Sequence, residues 1–451
     1  MSKISLCYRL FSILMILYVV AVYNSPYTFA STTMQSNSNK AEQSLQQLID
    51  QADTNAILQL EAGEYNGSIM IQKPITIIGA PDVVLVIEKG QAAIVIESDN
   101  VTLSSIEIND KRTDSSTAVI TATGKEIELE QLKIKTRATG IAIDDTNESN
   151  IANNEIIWSG KSSEKLSSRG NGIQLYNAEN MTITNNNING MYDGIYSENS
   201  LNIEIRNNTV QNSRYAYHLM YGSNIQLIEN YSFANITGMM VMTSQNINLQ
   251  NNILEKQAGN VNSQGILLYA AMDIAIKRNI VAESRVGIYV EQSSGIEISE
   301  NDIHHNFVAL QFIDSSEQNI QDNNFIGNVT NIWSDSTSIP NIIHNYWDTF
   351  QGLDLDGDQF SDLIYASSPF FMELVERRPG FQLFFGSNGI QFVEQLYQDN
   401  KDQWLQDSAP RMQSHNLLES DQAGQSSWLM VFIWTLLLIG SIIIIYKSRR
   451  R

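Results

Sequence analysis

The sequence predicts an all-β fold: a right-handed parallel β-helix of about 22 residues per coil, with an N-terminal helical cap and a C-terminal transmembrane helix. Three observations predict it. Small residues followed by an apolar one recur at Ala118, Gly140, Gly172, Gly194, Ala216, Gly238, Gly265, Gly287 and Ala309, mostly 22 apart. Asparagines keep the same beat at Asn154, Asn186, Asn208, Asn230, Asn252, Asn279, Asn301, Asn323 and Asn345. Between them lie short β-branched alternations broken by Asn, Ser and Gly, with no helical stripe long enough to cross over a sheet. A unit of this kind cannot bury its apolar face alone, so repeats must stack, one coil per unit, with the asparagines able to bond in ladders along the stack.

In chain order, residues 1–30 carry Lys3 and Arg9, an apolar run from Leu10 to Val22 and Thr28-Phe29-Ala30, the pattern of a secretory signal cut after Ala30. The single cysteine, Cys7, lies inside it, so the mature chain holds no thiol for a disulfide or thiolate site. Residues 41–345 form the capped β-helix, opened by an amphipathic helix from Ala41 to Ala52 with Leu45, Leu48 and Ile49 on one side, which covers the first coil's open edge. Both beats contain one step of 32 and one of 27, which places two insertions at the same corner, Trp158 to Gly170 and Glu255 to Gln264. They either frame a docking surface or form slack loops. Aromatic-rich residues 346–397 are an end cap or a partner-docking element, and 398–427 a polar linker. Trp428 to Tyr446 is an uncharged stretch long enough to span a membrane, and the basic residues of 447–451 set the tail in the cytoplasm. The chain is thus expected at the extracytoplasmic face, held by a single-pass C-terminal anchor. Without the basic residues of signal and tail, 22 basic residues stand against 49 acidic, a balance of −27 that argues against nucleic acid as a partner.

Side chains alternate across a strand, so after each small residue the first and third face the core and the second and fourth face out. The outward set includes Tyr196, His218, Met220, Met240, Met242 and Tyr269. Coils about 4.8 Å apart stack Met240 beside His218 and Met242 beside Met220, which predicts one exposed patch bordered by tyrosines. Thioether and imidazole donors suit Cu(I); an adaptable apolar patch for a protein partner is the other reading. Met239 faces inward as packing.

After the coils, Asp354, Asp356, Asp358 and Asp362 stand at spacings 1, 3, 5 and 9, as in an oxygen-ligand calcium loop. Gln359 occupies the sixth place instead of Gly and Tyr365 the twelfth instead of Glu, so the alternative is an Asx-rich turn closing the last coil. His304 and His305 fall at a turn and read as surface residues. Glycoside hydrolysis needs two carboxyl groups about 5 to 9 Å apart. The outward acids Glu198 and Glu291 are several coils apart, so a nonenzymatic role leads.

Two resemblances follow from particular stretches. The run from Ile57, ILQLEAGEYNGSIMIQKPITIIG, resembles the first coils of pectin-lyase-like β-helices, which bears on fold alone. The segments YHLMYGSN, GMMVMTS and NYWDTFQGLDLDGDQFSD resemble the NosD family of nitrous oxide reductase maturation proteins, over Leu45 to about Phe392. That resemblance implies an accessory role in assembling the reductase's copper-sulfide centre, with an ABC-type ATPase and permease complex and a copper chaperone as partners. It directs attention to His218, Met220 and Tyr221, with Met240 and Met242 from the next coil; His218, Met220, Met240 and Met242 are the candidate copper contacts, and Tyr196, Tyr221 and Tyr269 the candidate partner contacts. The alternatives to this reading are a carbohydrate-active β-helix protein and a surface adhesin.

Overall fold

The computed structural model describes residues 44–414, apart from 90–91, 114–115, 258–262, 336, 385–386 and 398–403. The expected signal segment and the Trp428 to Tyr446 span with its basic tail lie outside the described residues. Among the described residues no helix is long and apolar enough to cross a membrane.

Three strands per coil stack into three parallel sheets of 13, 13 and 12 strands, each strand pairing with the one three positions later in the chain. The result is an all-β parallel solenoid with the expected 22-residue repeat. Its register puts like on like: Ile141, Ile173, Ile195, Tyr217, Met239, Ile266, Ile288 and Leu310 pair successively, and all are buried in one continuous core. Small residues keep the beat because the corner is closed to anything larger. A Cβ at Gly194 would come within 2.4 Å of Val210 and 2.5 Å of the Ala216 carbonyl oxygen in the next coil.

The second beat is a buried ladder. Each asparagine accepts at Oδ1 from both the backbone N–H and the side-chain amide of the one before it: Asn186 to Asn208 at 2.9 Å each, then Asn208 to Asn230 at 3.0 and 3.1 Å. The residue ahead of each rung takes the left-handed conformation, as at Asn185 and Asn207 with φ near 55°, which asparagine tolerates better than most residues. Further along the same corner Glu229, Arg278, Glu300, Asp322 and His344 take that conformation, while the asparagine that follows each satisfies the polar groups the turn would bury.

Both ends are closed. The helix Leu45–Gln51 starts at a reciprocal capping box between Ser44 and Gln47 and buries Leu45 and Ile49 against the first coil, while Leu48 is only partly buried. At the far end Trp347 lies between Phe325 and Tyr365, with ring centroids 4.3 and 4.2 Å away. The helix Phe370–Arg377 buries Phe371 and Val375 beside it. Part of the stretch expected as a linker returns to the solenoid: Leu405–Asp407 pairs antiparallel with Tyr365–Ser367. Asp407 accepts from the backbone of Asn345 at 2.9 Å and from the indole of Trp347 at 3.1 Å, so a carboxylate ends the asparagine ladder.

The first insertion is held in place as well. Arg137 bonds Glu164 at 2.8 Å, Arg169 donates to the Gly190 carbonyl at 2.6 Å, and Trp158 lies within 5.8 and 5.1 Å of the two guanidinium groups. It is not the slack loop its serines suggest. The second insertion begins with Gln257, whose buried amide accepts from Asn235 N at 2.9 Å; most of the rest lies outside the described residues.

Candidate functional site

The strands Asp193–Glu198, Tyr215–Met220, Thr237–Met242 and Gln264–Tyr269 lie side by side. Their register sets Tyr196, His218, Met240 and Leu267 in one outward column and Glu198, Met220, Met242 and Tyr269 in the next. The four residues expected to meet are therefore neighbours. Their exposure differs from expectation: His218 is 5% exposed and Met240 8%, whereas Met220 and Met242 are half-buried. The expected open patch is thus a covered inner pair, His218 and Met240, with a half-open outer pair beside it.

The reason is a cover the outward count missed. Tyr196 and Tyr215 meet the His218 ring edge-on, each with centroids 4.9 Å away. Arg214 lies over Tyr192 and Tyr215 at 3.9 and 4.2 Å, and its guanidinium grips Asp193 at 2.6 and 2.8 Å. Asp193 also holds His218, with Nδ1 and Oδ2 2.9 Å apart. Burial alone would raise the Asp193 carboxyl; the hydrogen bonds from His218 and Arg214 outweigh it and leave the group below the usual carboxylate range. An ionised carboxylate only accepts, so Nδ1 carries the proton and, in the neutral ring, Nε2 keeps its lone pair. That Nε2 is buried and has no hydrogen-bond partner among the described residues.

Asp193 had a signal in the sequence. The residues just before the small-residue beat are Thr139, Asn171, Asp193, Tyr215, Thr237, Gln264, Val286 and Val308, and Asp193 is the one charge among them. What the sequence lacks is the reach of Arg214 and His218 from the next coil to meet it.

Tyr196 donates to Glu198 and also lies 3.6 Å from the Met220 sulfur. Burial and the Glu198 carboxylate push its phenol well above the usual value. Tyr221 stands at the rim, 52% exposed, and Tyr269 is half-buried in register with Met242. Neutral imidazole nitrogen and thioether sulfur are donors that suit a soft monovalent cation such as Cu(I), with no thiolate competing.

The aspartate loop behaves differently. Asp354, Asp356 and Asp362 bring one oxygen each within 4.8 Å of one another, but Asp358 is not in the group. Asp354 accepts from Gly357 N and Gln359 N at 2.6 and 3.0 Å, Asp362 from Leu355 N at 2.8 Å, and Asp358 from Phe360 N at 2.8 Å. Carboxylates that bond their own turn form the Asx-rich closure, and a calcium site is not supported.

The fold and this column define the class, a parallel β-helix protein with an imidazole and thioether column on one outer face. Residues 156–353, somewhat under half of the chain, match the model of the NosD family, described as periplasmic copper-binding protein. The matched segment contains the whole column. None of the curated proteins matches the chain. Among solved structures it is similar to the periplasmic alginate epimerase AlgG, at 14% identity and TM-score 0.51, covering 66% of this chain and 81% of that one. An alginate lyase, AlyF, is similar at 10% identity and TM-score 0.51, covering 67% and 82%. The catalytic unit of a thermostable α-1,3-glucanase from Streptomyces thermodiastaticus is similar at 14% identity and TM-score 0.50, covering 65% and 64%. At such identities these likenesses establish the β-helix fold alone.

Proposed function

We propose that this protein is a nonenzymatic extracytoplasmic scaffold that helps mature the copper-sulfide centre of nitrous oxide reductase, working with an ABC-type ATPase and permease complex and a copper chaperone. The match of residues 156–353 to a family described as periplasmic copper-binding protein supports the compartment and the accessory role. In this reading the apolar run from Trp428 to Tyr446 tethers the scaffold beside the permease, and the half-open tyrosines Tyr196, Tyr221 and Tyr269 meet a partner.

The observation that carries the copper part is the His218 ring. Its Nδ1 is committed to Asp193, its Nε2 is buried without a partner, and Met240 stands next to it in register. A polar atom kept dry and unpaired is costly unless something occupies it. Cu(I), as cargo in transit, matches a lone pair flanked by thioethers. Met220 and Met242, half-exposed, take the ion first; His218, covered by Tyr196 and Tyr215, and the buried Met240 receive it deeper.

The test replaces Met220, Met240 and Met242 together by leucine, which keeps volume and removes sulfur. Expected are a loss of Cu(I) affinity of tenfold or more in competition with a chromophoric chelator, and a lower copper content in the reductase of cells carrying the variant. If both values match those of the parent, the column has no part in copper handling.

A carbohydrate-active role is the second reading, favoured by one observation: a histidine oriented by a buried carboxylate, with Nε2 free, is also the arrangement of a general base. Glu198 and Glu291 lie four coils apart, about 19 Å at 4.8 Å per coil, too far for these two to work as a hydrolytic pair. Unsaturated products released from polyuronates, and lost in His218→Gln, would replace the copper reading.

A further inference from the structure

His304 and His305 are adjacent in the chain, and adjacent strand residues normally point to opposite faces. Here they do not. The strand Asp302–His304 ends in a corner where His305 takes φ +55°, and this left-handed turn swings its ring back beside that of His304. The two Nδ1 atoms share a hydrogen bond at 3.0 Å, with one ring donating and the other accepting, and the rings stand edge to face at 89°; a metal ion bound there replaces the shared proton. His304 is half-buried and His305 exposed, so the pair opens to solvent.

The neighbouring coils keep this corner clear and negative. On one side Gly327 faces His305; a Cβ there would come within 2.8 Å of the imidazole Cδ2 and 3.0 Å of Nε2, at a backbone φ of +64° that also favours glycine. On the other side Ala282, in register with His304, offers only a methyl group. Glu283 donates its N–H to the His304 carbonyl at 3.3 Å, which seats its side chain at the same corner one coil back. Asp302, Glu255 and Glu283 surround His304 with negative charge, while burial and His305 keep its ring from protonating as readily as a free histidine. The nearest lysine along this corner, Lys256, leans over the Phe233 ring instead, 5.3 Å from its centroid.

We propose that His304 and His305 form a chelating site for a borderline divalent cation of the copper(II) or nickel(II) kind, separate from the His218 column. The bite supports that class. With metal–nitrogen bonds of about 2.0–2.1 Å, two donors 3.0 Å apart subtend about 95° at the metal, close to the right angle of tetragonal or octahedral coordination and well short of the tetrahedral angle. Imidazole is the donor such ions prefer, and the exposed side leaves room for water or a carboxylate from Glu283 to complete the sphere. A site of this sort gives the scaffold a surface position for a divalent ion and does not depend on the Cu(I) reading above.

The experiment titrates nickel(II), and separately copper(II), into the untagged full chain whose Met220, Met240 and Met242 are leucine, so that the other column does not contribute. One equivalent is expected to bind, and His304→Gln and His305→Gln are each expected to weaken it tenfold or more. The copper(II) electron paramagnetic resonance spectrum should carry hyperfine structure from two nitrogens and lose it in either variant. Absence of stoichiometric uptake by the parent, or unchanged affinity in both glutamine variants, overturns the proposal. Circular dichroism of the variants guards against misfolding, and Glu283→Gln, which spares both rings, should weaken binding by less than either histidine change.

Discussion

The inner asparagine ladder and the outer column through His218 are built on opposite terms. In the inner asparagine ladder every rung is closed: Asn230 accepts twice from Asn208, donates its backbone N–H to Asn252 at 2.9 Å, and gives its amide to the Ile205 carbonyl at 2.8 Å and to Asn252 at 3.1 Å. In the outer column His218 is closed on one side by Asp193 and left open at Nε2. Both are buried, so burial does not distinguish them; hydrogen-bond completeness does. A complete column fixes coil spacing and register, whereas an incomplete one holds donor atoms ready for something the chain itself does not provide.

The comparison is most severely tested at the ladder. Asn230→Leu strips the buried Asn208 N–H of its acceptor and the Ile205 carbonyl of the side-chain amide that donates to it, while the Asn208 amide keeps the Ile183 and Arg206 carbonyls. With about 1–3 kcal/mol for each buried group left unpaired, a loss of about 3–5 kcal/mol is expected, read as a lower denaturant midpoint. A loss below about 1 kcal/mol would mean that the ladder is ornament and that the core alone sets the coil.

A smaller effect is expected at Asp193. Its folded value lies below the ordinary carboxylate range, so it contributes stability that is fully present above the unfolded value near 4 and is lost as pH falls through the lower folded value. Asp193→Asn should cost about 1–3 kcal/mol at neutral pH, moderated by the partial exposure of Arg214, and should flatten that part of the acid-denaturation curve. Nitrogen NMR of His218 gives the sharper reading, because an amide no longer fixes the proton on Nδ1. An unchanged tautomer would show that Asp193 is a bystander.

The smallest effect belongs to Met240. Met240→Leu conserves volume in a position without a hydrogen-bond duty and is expected to change stability by less than about 1.5 kcal/mol, with cargo affinity as its main readout. A stability loss as large as that of Asn230→Leu would erase the difference between the two columns.

How much was legible in advance follows from period. The 22-residue beat gave the coil, and the alternation of each strand placed His218 with Met240 and Met220 with Met242, as the register has them. The same counting could not reveal that His218 and Met240 are covered. Cover comes from Tyr215 and Arg214, which belong to the flank of the strand and not to its outward column. Polarity misled at the end of the chain, where a stretch read as linker supplies Asp407 to close the ladder.

What this sequence determined by itself is whatever repeats: strand length, inward and outward faces, the asparagine rungs and the small corner residues, because a stacked coil makes each constraint recur at a fixed step. Only the tertiary structure decided what happens once, such as the grip of Asp193 on His218, the turn that brings His304 against His305, and the return of Asp407 to the last rung. Two of these contacts join distant parts of the chain through side-chain reach and the third depends on a backbone corner, and no periodic pattern in the chain encodes the direction of either.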